Sequence, residues 1–328
     1  MDSLSKLMNY RVVAVAVVII VMFAVVGVYD FYKLHSSTTS TKAIRIVSLS
    51  PSDTQVLVSL GLGKDIVGLD YYSYSLLQEL NETSYLPKNV TVFPQIYPVN
   101  VSGVVALSPT AVIGEEGLLG SYVQKMEEAG LNVITTNADF VSNFYQIENV
   151  IVSLGKDFNA TQEAQNLVSW MNQEIANFTA PGNVTVAYLL WICPNEDFYT
   201  VGGNVFINNV ISLAGGINAF AGQSGYPLMD PSQLLLANPQ VIVVQEVYNL
   251  SYTEYLISHI PGVQNLTAYK EGRIYVISDN LPASLLNEPG PLSVYAVEMM
   301  KEILQGKAPS FISTEWVKEN INPSMPVF

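Results

Sequence analysis

Three features of the sequence predict an α/β protein of two lobes with mostly parallel sheets. Short β-rich apolar runs alternate with helical stretches, the pattern repeats in the second half, and one long amphipathic helix lies between the halves. The 328 residues suit two domains of roughly 100–200 residues each better than one. Ile44-Arg45-Ile46-Val47-Ser48-Leu49 reads as a strand, Ser50-Pro51-Ser52-Asp53 as a turn and helix cap, and Thr54 to Leu60 as a helix stopped at Gly61. Ile66–Leu69, Ala111–Ile113 and Asn132–Ile134 continue the strand series, with helical stretches near Val101–Leu107 and Gly120–Ala129.

A second series follows Pro181-Gly182. Val184–Trp191 reads as a strand, Val205–Leu213 as a helix ended by Gly215-Gly216, and Val241–Val244 and Ile274–Ile277 as further strands. At an offset of 130 residues, Val105-Ala106-Leu107-Ser108-Pro109 aligns with Leu235-Leu236-Ala237-Asn238-Pro239, each a helix stopped by proline and followed by a buried strand. Between the halves, Ala164, Leu167, Val168, Met171, Ile175 and Phe178 form one apolar stripe over Asn159–Thr179. A helix of about 20 residues is ~30 Å long, a strut that limits how far a cleft between the lobes opens. The expected soluble architecture is two Rossmann-like lobes, residues 44–158 and 181–328, joined by one rigid helix over 159–180.

Val12 to Tyr29 is an uninterrupted run of apolar residues, Gly and Tyr, about the minimum length that crosses a hydrocarbon core of ~30 Å. Lys6 and Arg11 precede it, so a transmembrane anchor over 12–29 leaves residues 1–11 in the cytoplasm and everything after Asp30 outside. A cleaved signal peptide is the rival reading, with Ala24 and Gly27 as the small residues of its cleavage site. No Cys follows the run that would make it a bacterial-type lipoprotein signal. Residues 30–43, with Ser36-Ser37-Thr38-Thr39-Ser40-Thr41, read as a flexible stalk. Eight Asn-x-Ser/Thr sequons, at Asn81, Asn89, Asn100, Asn159, Asn177, Asn183, Asn249 and Asn265, favour a glycosylated exterior.

The net charge of −14, with only 14 Lys and Arg scattered along the chain, excludes nucleic acid as a partner. His35 and His259 are the only histidines, so neither a His-based metal site nor a His-dependent triad is expected, and no metal or cofactor is assigned. Cys193 is alone and reads as a buried structural thiol. Gly61-Leu62-Gly63 and Val201-Gly202-Gly203-Asn204 lack the remaining residues of nucleotide fingerprints and read as turns. Glu115-Glu116 stands where a strand ends, the place where ligands gather in open α/β sheets; adjacent side chains diverge, so one of the two points away. Tyr71, Tyr72 and Tyr74 after the second strand, and Trp191, Phe198 and Tyr199 after the first strand of the second lobe, are suited to gripping an apolar or planar ligand.

Ile46-Val47-Ser48-Leu49-Ser50-Pro51, Ile66-Val67-Gly68, the two aligned blocks ending in Pro109 and Pro239, and Pro289-Gly290-Pro291 before a final helix resemble the vitamin B12 and iron-siderophore binding proteins, over residues 44–305 and in family order. The resemblance implies a non-enzymatic solute-binding protein of an ABC importer, a monomer that holds a ferric siderophore, haem or cobalamin-type ligand between its lobes and delivers it to a permease and ATPase. It places Tyr72 at a pocket tyrosine, Tyr226 at a pocket tryptophan and Asp279 at a pocket aspartate. Ile96 and Glu115 occupy the places of other pocket tryptophans, and Leu292 replaces an arginine. With Trp191 added from the strand-end pattern, the candidate ligand residues are Tyr72, Glu115, Trp191, Tyr226 and Asp279. The family presents one glutamate per lobe to the permease; Ser102 and Ser232 stand there, with Asp230, Glu116 and Glu246 nearby. Two other functions remain open: a membrane-anchored surface glycoprotein or sensor that keeps the fold without transport, and an extracellular hydrolase using Glu115 with Asp70 or Asp279.

Overall fold

A computed structural model describes residues 43–328. The transmembrane segment expected over 12–29, the cytoplasmic end before it and the stalk through residue 42 lie outside the described residues. Among those described, no helix is long and apolar enough to cross a membrane.

The first lobe is a five-stranded sheet of order β3-β2-β1-β4-β5, formed by β1 (Ile46–Ser48), β2 (Ile66–Asp70), β3 (Thr91–Phe93), β4 (Ala111–Glu115) and β5 (Val133–Thr136). All its pairings are parallel. Local chemistry starts its helices. Ser50 has extended backbone and its Oγ accepts from the Asp53 N–H, while Pro51 fills the first helical position, so helix α1 runs Pro51–Ser59. Asp70 caps α2 (Tyr71–Glu79) by accepting from the Tyr72 and Ser73 N–H groups at 2.9 and 3.0 Å. Asn100 caps α3 (Val101–Ala106) through the Gly103 N–H.

Two helices leave this sheet, α4 (Phe144–Asp157) and α5 (Thr161–Phe178). Asn159 has φ 57°, a left-handed residue that ends the first helix, so the second starts two residues later than its apolar stripe suggests. Eighteen residues at 1.5 Å each make α5 about 27 Å long.

The second sheet has seven strands, in the order β12-β11-β10-β6-β7-β9 with β8 beside β6. They are β6 (Val184–Ile192), β7 (Phe198–Thr200), β8 (Gly216–Asn218), β9 (Leu228–Met229), β10 (Val241–Gln245), β11 (Ile274–Ile277) and β12 (Phe311–Ile312). Only β6–β7 and β7–β9 pair antiparallel. The helices that matter below are α6 (Phe206–Leu213), α7 (Pro231–Ala237), α8 (Leu250–His259), α9 (Leu281–Asn287) and α10 (Val294–Leu304). The repeat seen in the sequence is carried by the backbone. β4 and β10 keep the offset of 130, and the residues before the aligned prolines, Ser108 and Asn238, are both left-handed at φ 47° and 39°.

One hydrophobic cluster runs without a break from α1 and β1 through α4 and α5 to β6, α6 and α10. Separate clusters line the outer faces, one in each lobe. Polar ties join the lobes as well. Gln55, 2% exposed, donates from Nε2 to the Glu288 carbonyl and accepts from the Leu292 N–H at 3.1 Å. The C-terminal tail returns to the first lobe, where the Phe328 N–H donates to the Ser59 carbonyl. Cys193 is half-buried rather than enclosed, because it lies just past the end of β6 in the turn to Asp197.

Candidate ligand cleft

A cavity of about 480 Å³ lies between the two sheets. Each of the five parallel strands of the first lobe contributes to it just past its carboxyl end: Pro51 and Ser52 after β1, Tyr72 after β2, Ile96 after β3, Glu115 and Leu118 at β4, and Asp139 and Val141 after β5. That is where open parallel sheets leave a crevice. The second lobe answers with Leu190 of β6, Phe206 at the start of α6, Tyr226, and Leu286 to Pro289 at the end of α9.

Tyr72 and Tyr226 stand at the rim from opposite lobes, 56% and 52% exposed. The Asp70 cap fixes the backbone of Tyr72, and the Tyr71 ring packs edge-on against its ring at 5.7 Å. Tyr226 sits on a loop pinned to residues 200–204: the Gly202 and Gly203 N–H groups donate to the Gly225 and Gln223 carbonyls, and Gly225 N–H donates to Asn204 Oδ1. A Cβ at Gly202 or Gly203 would lie 2.5 or 2.3 Å from a loop carbonyl oxygen, so the glycine pair lets this loop approach.

Glu115 is 5% exposed and its Oε1 accepts from Ser50 Oγ at 2.7 Å. Glu116, next to it, is exposed, because the strand ends between them and their side chains diverge. Behind Glu115 lies Asp53, fully buried, with Thr136 Oγ1 donating to its two oxygens at 2.8 and 3.0 Å. Burial first, and the neighbouring Glu115 second, push the Asp53 carboxyl up to about 8. Burial likewise raises Glu115, Asp70 and Asp139 above the usual carboxylate range, and Glu288 well above it.

The cleft brings together Tyr72, Glu115 and Tyr226 of the five expected ligand residues, and leaves out two. Leu190 faces the cavity, so its strand neighbour Trp191 points to the opposite face, where its ring meets Tyr248 edge-on at 5.3 Å. Asp279 is exposed and reaches the cleft only through others: its Oδ1 accepts from Gln245 Nε2, and Gln245 Oε1 accepts from Asn287, which lines the cavity. The sequence reading missed Asp139 and Glu288. Glu288 immediately precedes the Pro289-Gly290-Pro291 motif, which was the available signal; Asp139 lies in a single 3-10 turn, Ala138–Phe140, after a short strand and carries none.

Ser102 and Ser232 are exposed and occupy equivalent positions at the starts of α3 and α7, each hydroxyl donating back to its helix cap, Asn100 or Asp230. Glu246 accepts from the Asp279 N–H. All eight sequon asparagines are exposed, and none lines the cleft. Among the described residues no group of three His, Cys, Asp or Glu could hold a metal ion, and His259 packs on Tyr255 along α8, away from the cleft.

Residues 46–281 match the model of a family described as periplasmic binding protein. The chain is 26% identical over 268 residues to an uncharacterized ABC transporter substrate-binding lipoprotein of Bacillus subtilis, covering 79% of each. It is 25% identical over 278 residues to a cobalamin-binding protein of Halobacterium salinarum, covering 80% of this chain and 70% of that one. Among solved structures, the periplasmic heme-binding protein RhuT of Roseiflexus superposes with a TM-score of 0.66 at 25% identity, over 81% of this chain and all of the other. The two-lobed α/β architecture, the cleft at the strand ends and these matches lead to one conclusion: this chain belongs to the periplasmic binding protein family.

Proposed function

We propose that the chain is the extracytoplasmic solute-binding protein of an ABC importer, a non-enzymatic clamp that takes a haem, ferric siderophore or cobalamin-type ligand between its lobes and hands it to a permease and ATPase. The observation that carries this reading is the cavity with a tyrosine at its rim from each lobe, Tyr72 and Tyr226, over a floor built from strand ends. Two aromatic faces on opposite walls suit a flat or bulky apolar body, and a few polar groups below set its orientation. The names of the relatives support that ligand class. The unbroken apolar cluster and the Gln55 tie favour a small closing motion.

The N-terminal apolar run anchors the protein with the clamp outside the cell, and sequon asparagines other than Asn100 carry glycans away from the cleft. Docking to the permease uses the equivalent starts of α3 and α7, with the exposed Asp230 carboxylate supplying charge beside Ser232 and Ser102 making a neutral contact. Alanine at Tyr72 or Tyr226 tests the clamp. Each is expected to weaken binding by more than ~1 kcal/mol, measured by calorimetric titration against the unmodified chain. Unchanged affinity in both variants overturns the assignment of this cleft.

A further inference from the structure

The floor of the cleft is acidic, and nothing in the cleft offsets it. Glu115, Asp139 and Glu288 line the cavity from three different elements, and among the described residues no Lys, Arg or His lines it. Behind them Asp53 and Asp70 are fully buried. A carboxylate that lines the cavity loses water when a ligand fills it, and that cost is offset when the ligand supplies a donor or a positive charge.

The position of Asp139 depends on a glycine. Its Oδ2 accepts from the Gly117 N–H at 2.7 Å, and a Cβ at Gly117 would lie 2.1 Å from that oxygen. Only a residue without a side chain lets the carboxylate dock there, at the edge of the cavity. The acid is therefore placed by the backbone, unlike a loose surface charge. The other walls are aromatic or apolar, with Tyr72, Ile96, Leu190, Phe206 and Tyr226. An anionic ligand would find no cation among them.

Building on the solute-binding reading above, we infer that the cleft favours a ligand edge that is neutral to cationic and turns amide, amine or ammonium groups toward Glu115, Asp139 and Glu288, so that within one scaffold the carboxylate- or catecholate-bearing form binds more weakly. The aromatic rim holds the body of the ligand; the acid floor selects its edge. Like charges brought together across a closed site work against binding, whereas complementary ones fix both partner and orientation.

Charge-matched pairs test this by calorimetric titration of the full chain at pH 7.5. The probes are cyanocobalamin against its monocarboxylic acid, a ferric trihydroxamate with a terminal ammonium against its N-acetylated form, and haemin against haemin with both propionates amidated. In whichever scaffold binds, the more positive member is expected to bind about tenfold tighter or better, the effect of one charge-assisted hydrogen bond. Asp139→Asn, which keeps shape and removes charge, is expected to shrink that ratio. Equal affinity within a pair, or tighter binding of the anionic member, overturns the inference and leaves the solute-binding reading standing. Binding of none of the six probes overturns both.

Discussion

Replacing Asp53 by asparagine is expected to flatten the dependence of stability on pH. Asp53 sits in the first turn of α1, fully buried, next to Glu115 and with Asp139 nearby. Its carboxyl, which titrates at about 4 in an unfolded chain, is pushed up to about 8 in the folded one, chiefly by burial. A carboxyl whose folded value is raised binds its proton more tightly when folded. Its contribution is therefore fully present below about pH 4 and is lost as pH rises through about 8. Each unit of difference is worth about 1.4 kcal/mol, so the whole interval gives an upper bound of ~6 kcal/mol, shared in part with Glu115. Urea unfolding of the unmodified chain and of Asp53→Asn at pH 4, 6 and 8 measures it. The variant is expected to gain on the unmodified chain by at least ~2 kcal/mol between pH 4 and pH 8, because asparagine keeps the Thr136 contact and has no proton to lose. Parallel profiles for the two proteins would refute the placement of a proton on this buried acid.

Three further outcomes are expected. Gln55→Ala leaves the Leu292 N–H without its partner and removes a tie between the lobes, so it should cost ~1–3 kcal/mol in urea unfolding and enlarge the radius of gyration seen by small-angle scattering. Gly117→Ala drives the Asp139 carboxylate off the backbone, so calorimetry should show affinity for an amide- or ammonium-bearing ligand falling about tenfold while urea unfolding changes by no more than ~1 kcal/mol. Asn218→Ala should destabilise by ~2–3 kcal/mol in the same unfolding assay, because the side chain is 6% exposed and bonds the Val201 carbonyl at 2.9 Å and the Phe220 N–H at 3.0 Å.

The parts of the fold that were legible in the sequence are those written in local chemistry. Pro109 and Pro239 announced the repeat, and the left-handed Ser108 and Asn238 before them show why each helix stops there. Ser50-Pro51 marked a helix start that the structure keeps. The two- and three-residue strands β3, β9 and β12 were not legible, since so short a run shows no period. The site was harder. Tyr72 and Glu115 stand at strand ends and were visible as such, whereas Leu189-Leu190-Trp191-Ile192 is apolar on both faces of β6, so nothing in it distinguished Trp191 from the cleft-facing Leu190. The acids of the floor come from the end of β4, the segment after β5, and the residue just past α9, distant in sequence and joined only by the fold.

The proposed function requires capture of a chelate or corrinoid between the lobes. The most direct measurement is a thermal-shift titration of the purified full chain with cyanocobalamin, a ferric trihydroxamate and haemin, followed by calorimetry on any that shift it. Ligand at 100 times its dissociation constant adds about 2.7 kcal/mol, enough to move the midpoint by several degrees. A saturable shift with one class at one ligand per chain is expected, clearly reduced in a chain carrying both Tyr72→Ala and Tyr226→Ala. A folded sample that none of the three stabilises, or a shift undiminished by loss of both tyrosines, would contradict capture in this cleft.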